Sequence, residues 1–330
     1  MRCRLLLSLV LLGPALAGCG GHSSAPGPTA AAATPPAFAP SARVRRDLHV
    51  AGVRLMKWRL PYPVARAAMI ETGRDSLILA GGLLTGDRST GRALLVHPTS
   101  GRARSLPSLA VPVHDTAGGV VGGAPTLVGG GNSTEQSVVQ SLSHRRWLPV
   151  DNLPTSRSDL GVVEWRGHPY VMGGYDGATM PRTILRLSPQ GRPRPVGSLL
   201  QGVRYAASAR IHSDAYVLGG ERDGREVDDI QRVDLKTGRT RPAGHLPVPL
   251  GHATAVTVGD RILLMGGRVT PDRQTGEMWW YDPGTGSFRR AGRLPFPVSD
   301  AAVASLGRRI WLLGGEIPKT TDRVVEVTLR

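Results

Sequence analysis

The chain has 330 residues, with 41 Lys and Arg against 25 Asp and Glu, and a formal charge of +16. Its 43 glycines and 27 prolines are too many for a helix-rich protein and suit short strands joined by turns. Only Lys57, Lys236 and Lys319 are lysines. GC-rich coding gives such an arginine bias through codon usage alone; read functionally, the bias is attraction to anionic surfaces such as lipid headgroups or acidic wall polymers. No single segment concentrates the charge and aromatic residues make up only 5% of the chain, which argues against a nucleic-acid binder.

At the N-terminus Arg2 and Arg4 precede the apolar run Leu5 to Leu12, which is too short to span a bilayer and reads as the core of a signal peptide. Leu16-Ala17-Gly18-Cys19 follows and resembles the bacterial lipobox, in which the signal is cut before the cysteine and the cysteine is lipidated. The resemblance implies a signal over residues 1–18, lipidation at Cys19 and an extracytoplasmic place at the cell membrane. An ordinary secretory signal cut near Ala17 is the other reading. Cys3 lies inside the signal, so the mature chain has no second cysteine for an internal disulfide. Two acyl chains on Cys19 would give the stable hold that one chain cannot. Residues 19–47, rich in Ala, Pro and Gly, bury little and read as a tether. Residues 48–330 read as the folded part.

There an apolar run ending in a glycine pair occurs six times, at Gly81-Gly82, Gly129-Gly130, Gly173-Gly174, Gly219-Gly220, Gly266-Gly267 and Gly314-Gly315. The second glycines are 48, 44, 46, 47 and 48 residues apart. A fixed period of this length marks a repeat array. Each repeat opens on a Leu-Pro step (Leu60, Leu106, Leu153, Leu246 and Leu294, with Leu199-Leu200 as the odd copy). A small-residue strand, the apolar strand, a third strand and a fourth then follow, separated by turns; the clearest third strand starts at Met278-Trp279-Trp280-Tyr281. The last repeat has only three strands, ending on 323–329, whereas residues 53–60 read as a fourth strand without its first three. The N-terminal strand is therefore expected to complete the last blade and close the ring, which removes the free sheet edges.

The glycine pair after an apolar strand, with Trp147, Tyr281 and Phe288 in the aromatic region of their repeats, resembles the kelch repeat. The resemblance covers residues 52–330 and implies an all-β, six-bladed kelch-type β-propeller. Galactose-oxidase-like enzymes share such blades, but their copper site needs a cysteine, and no blade here contains one.

Spacing to the glycine pairs puts Arg66, His114 with Asp115, Arg157 with Asp159, Arg204 with Tyr205, His252 and Asp300 on one ring. The loops after the glycine pairs add Tyr175, Glu221, Arg222, Arg268 and Glu316. Arginines on such a rim can fork onto carboxylates or phosphates. The blades contain no His-Glu-x-x-His, calcium loop or nucleophile elbow, so no metal and no cofactor is expected. The expected function is that of a membrane-anchored, monomeric scaffold whose propeller face binds a protein or an acidic glycan. The alternative is a metal-free sugar epimerase or mutarotase of the sialic-acid type. There Glu221 would move the proton and Arg204 or Arg222 would hold the sugar carboxylate.

Overall fold

The structure, a computed structural model, describes residues 48–330; the expected signal, Cys19 and the expected tether lie outside the described residues. Six four-stranded antiparallel sheets follow one another as the blades of a propeller, and no helix occurs among the described residues. In five blades the strands lie in chain order from the inner to the outer edge. In the sixth, Val50–Leu55 pairs with Val324–Leu329 and supplies the outer strand. The expected closure is therefore present, with shifted bounds. The strand proper ends at Leu55, although Met56 and Leu60 still donate backbone bonds to Val324 and Asp322.

The second strand of each blade is buried on both faces, which explains why it is a continuous apolar run rather than an alternation. In Ser76–Ala80, Leu77 and Leu79 pack toward blade six, whereas Ile78 and Ala80 pack toward blade two. The core is thus divided into six apolar clusters, one between each neighbouring pair of blades. Innermost strands use small residues, such as Ala117-Gly118-Gly119 and Ala207-Ser208-Ala209, where the sheets converge.

A buried leucine plugs the entry to each repeat and donates its backbone N–H to the preceding blade. Leu60, Leu153, Leu199, Leu246 and Leu294, which open their repeats in the sequence, do this. In the second repeat Leu109, not Leu106, fills the role, bonding to Gly91. Leu106 instead ends the outer strand of blade one. Leu109 stands 21 residues before the second glycine, as do the leucines of the last four repeats.

The glycine pairs hold the blades together. The first glycine of each has φ of 59–70° and the second 100–109°. Each second glycine donates its N–H to the next blade at 2.7–2.9 Å, the last of them, Gly315, to Val64 of blade one. A methyl group on Gly314 would drive into the carbonyl oxygen of Val64, whereas one on Gly286, at almost the same φ, meets nothing. Gly286→Ala is therefore expected to cost only the left-handed strain, about 1 kcal/mol. Gly314→Ala is expected to cost a further 1–3 kcal/mol or so of overpacking at the ring seam. Melting temperatures of the two variants check this, and equal values would reject the role given to the pair.

Candidate functional site

A second ring of backbone bonds lies nearer the axis. Arg66, Asp115, Asp159, Tyr205, His252 and Asp300 all have φ of 48–57°, and each donates its N–H to the carbonyl of the equivalent residue in the preceding blade at 2.9–3.1 Å. Arg66 bonds back to Asp300, so the circle is complete. The six side chains surround a cavity of about 160 Å³ at the channel mouth. The residue before each ring member pairs with the residue after the glycine pair of the same blade: Ala65 with Leu83, His114 with Gly131, Ser158 with Tyr175, Arg204 with Glu221, Gly251 with Arg268, and Ser299 with Glu316. The charged pairs fall on blades four to six, so the mouth is asymmetric.

Its charges are tied to one another. Arg66 reaches Asp115 at 3.1 Å, Glu316 at 2.9 Å and the Tyr205 hydroxyl at 3.1 Å. Arg268 bonds Glu316 and lies 3.3 Å from Asp300. Arg204 bonds Glu221, lies 3.9 Å from Asp159 and covers the Tyr175 and Tyr205 rings. His252 Nδ1 is 2.7 Å from Asp300, its Nε2 is 3.6 Å from Glu221, and its ring stacks on Tyr205 at 3.8 Å. His114 meets Ser89 through Nδ1 at 2.8 Å and Asp115 through Nε2 at 3.5 Å.

Two predicted members do not join this network. Arg157 is buried, and its guanidinium donates to the carbonyls of Thr183 and Gly173 inside blade three. It stands 17 residues before the second glycine, where Val113, Val203, Leu250 and Val298 fill interblade cores in other repeats. The ring position is two residues later, at Asp159. Arg222 is held by Asp229 instead. Asp228, Asp229 and His245 bring three possible ligand atoms within 4.8 Å of one another, but the group lies outside the mouth and Arg222 already neutralises Asp229.

Beside the mouth lies a groove of about 420 Å³ that no sequence pattern announced. Val248, Trp279, Pro295, Phe296 and Pro297 line it, with Arg273 and Arg293 among its polar residues. The segments carrying Val248 and Phe296 run on into His252 and Asp300, and the hairpin Arg268–Gln274 stands between groove and mouth. Gln274 fixes that hairpin by donating to Ser299 at 3.0 Å.

Burial and the neighbouring Asp115 push Asp159 up to about 8, against the pull of Arg204. Burial opposes the charge of His252, yet Asp300 and Glu221 outweigh it and hold the imidazole up at about 9. Both groups bind protons in the folded state that the unfolded chain releases. Asp159 therefore lowers stability as pH rises from about 4 to 8, and the His252 contribution, complete below 6.5, is lost as pH rises through 9. Asp159→Asn mimics the protonated form. It is expected to gain on the wild type between pH 5 and pH 8 by up to about 1 kcal/mol per pH unit. Denaturant melts at both pH values check this; an unchanged difference would reject the buried neutral carboxyl.

The family model described as Kelch motif matches residues 249–295. Mouse Kelch-like protein 35 is 28% identical over 191 residues, covering 57% of this chain and 32% of the mouse protein. Kelch repeat protein M-T8 of myxoma virus (strain Lausanne) is 26% identical over 218 residues, covering 62% of this chain and 40% of the viral protein. The matches thus span well under half of either relative's length. Together with six glycine-paired blades closed into one ring, these likenesses make the chain similar to kelch-repeat β-propellers.

Proposed function

We propose that the protein is an extracytoplasmic scaffold, held at a bacterial cell membrane by a lipid on Cys19, that binds a protein partner through its mouth and adjoining groove and catalyses nothing. Kelch propellers are typically protein-binding scaffolds. The observation that carries the reading here is the pairing of a self-compensated polar floor with an apolar, aromatic groove on the same face. Protein interfaces have this anatomy: aromatic anchors in a pocket, with a polar surround whose hydrogen bonds are already satisfied. The ring closes within one chain, which supports a monomer.

An epimerase would need Glu221 to exchange a proton near neutral pH. The nearby His252 imidazole and its pairing with Arg204 hold it down at about 2, despite burial, so it is a poor base. Arg204 is already engaged by Glu221 and Asp159 rather than waiting for a sugar carboxylate. The geometry therefore favours binding over proton transfer.

The anchor is tested with Cys19→Ser. The wild type is expected in the membrane fraction and the variant in the soluble fraction of the exporting cell; a variant that stays with the membrane would overturn the lipid anchor. For the binding face, Val248→Asp and Phe296→Ala are compared with the wild type in cross-linking capture from envelope extract. Removing an anchor of this kind is expected to weaken a discrete protein capture by about tenfold or more. Undiminished capture by both folded variants would move the partner elsewhere on the propeller.

A further inference from the structure

The outer strands of the six blades carry nearly all their charge with one sign. Val50–Leu55, Arg102–Leu106, Arg146–Asn152, Pro193–Ser198, Thr240–His245 and Ser287–Arg293 together contain nine arginines and a single acid, Asp151. Three of these edges share an Arg-x-Arg pattern, at Arg102 and Arg104, Arg192 and Arg194, and Arg239 and Arg241. Alternate residues of a strand project to the same side, about 7 Å apart. On blade one, where both arginines lie within the strand, the edge therefore presents two guanidinium forks side by side, and on the other two edges the first arginine stands just ahead of the strand.

Six rim arginines have no carboxylate partner among the described residues: Arg102, Arg104, Arg146, Arg194, Arg241 and Arg289. By contrast, Arg54 is paired with Glu326, and Arg290 and Arg293 with Glu277. On blade three the exposed Arg186 and Arg194 stand directly opposite each other across the strand pair. Like charges in that position cost stability. Charges on edge strands do prevent edge-to-edge pairing, but either sign or a mixture serves that purpose. Protection of the edge explains charge on the rim and leaves the single sign and the facing arginines unexplained. An anion lying along the edge would remove both costs.

We propose that the propeller rim binds a flexible acidic polysaccharide, whose carboxylates are held by the arginine forks of successive outer strands. The basic edges go all the way around a closed ring, so a flat bilayer meets only those on one side, whereas a linear polymer can follow them from blade to blade. Guanidinium and carboxylate match in a two-bond fork. Occupation of the rim does not depend on what the mouth binds.

The test is a titration of the full chain with polygalacturonate, a linear polymer of carboxylated sugars, in parallel with neutral dextran, phosphatidylglycerol vesicles and duplex DNA. Binding to polygalacturonate alone among the sugars is expected, and it should weaken steeply with added salt. The rim variant Arg102→Gln, Arg104→Gln, Arg194→Gln, Arg241→Gln is compared with a variant of equal charge altered elsewhere at exposed sites, Arg74→Gln, Arg88→Gln, Arg225→Gln, Arg308→Gln. The rim variant should lose about tenfold or more in affinity, each exposed contact contributing roughly 2–5-fold, and the control variant should lose much less. Equal losses in the two variants would reduce the effect to net charge and overturn the proposal, as would tighter binding to vesicles or DNA than to polygalacturonate. Val248→Asp, which alters the groove, should leave polygalacturonate binding unchanged; loss there would place the polymer on the mouth face instead.

Discussion

Everything in this propeller depends on two concentric circles of main-chain hydrogen bonds running between blades. In the outer circle each glycine pair donates forward to the next blade; in the inner circle each ring residue donates back to the one before. Twelve such bonds, at about 1 kcal/mol net each, are of the same order as the whole stability of a domain. Because they use backbone groups, they demand a conformation rather than a side chain. The outer circle demands glycine, since a methyl group would strike the neighbouring carbonyl. The inner circle demands a left-handed backbone but leaves room for a side chain pointing into the cavity.

That difference explains the sequence at the two circles. Glycine is invariable in the outer six positions of the chain, whereas the inner six hold Arg, Asp, Asp, Tyr, His and Asp. A left-handed residue other than glycine costs about 1–2 kcal/mol, least for the Asp positions. Arg66, Tyr205 and His252 accept more of that strain, and these three make the cross-blade contacts. The Arg66 guanidinium joins blades one, two, four and six, and the Tyr205–His252 stack ties blade four to blade five. Strain in the backbone is thus offset by a network that links neighbouring blades a third time.

Spacing made the blade count, the ring and its closure legible, because a period imposed by backbone contacts leaves fixed glycines behind. It failed where composition distracted from spacing. Leu106-Pro107 looks like the plug of the second repeat, but the constant distance to the glycine pair selects Leu109. Arg157 looks like a site residue because it is charged, but its distance selects an interblade core, where its Nε finds no partner and burial lowers the guanidinium to about 10. The groove left no signal at all. Trp279 belongs to a third strand and Phe296 to a linker, and only the packing of blade five brings them together. The pairing of mouth charges was equally hidden, since Arg66 and Glu316 are 250 residues apart.

The excess of arginine also takes a different meaning once placed. In the sequence it looks uniform, because outer strands recur at every period and contribute only one to three arginines each. Folding sorts the charges by radius. Five carboxylates are drawn to the mouth, where Arg66, Arg204, Arg268 and His252 compensate them, and the rim keeps a single acid among its nine arginines. A compensated mouth projects little field, so the long-range attraction of the propeller comes from its edge. Short-range recognition at the mouth and groove and charge-driven attraction at the rim are therefore separable, because they rest on different strands, different residues and different ranges of force.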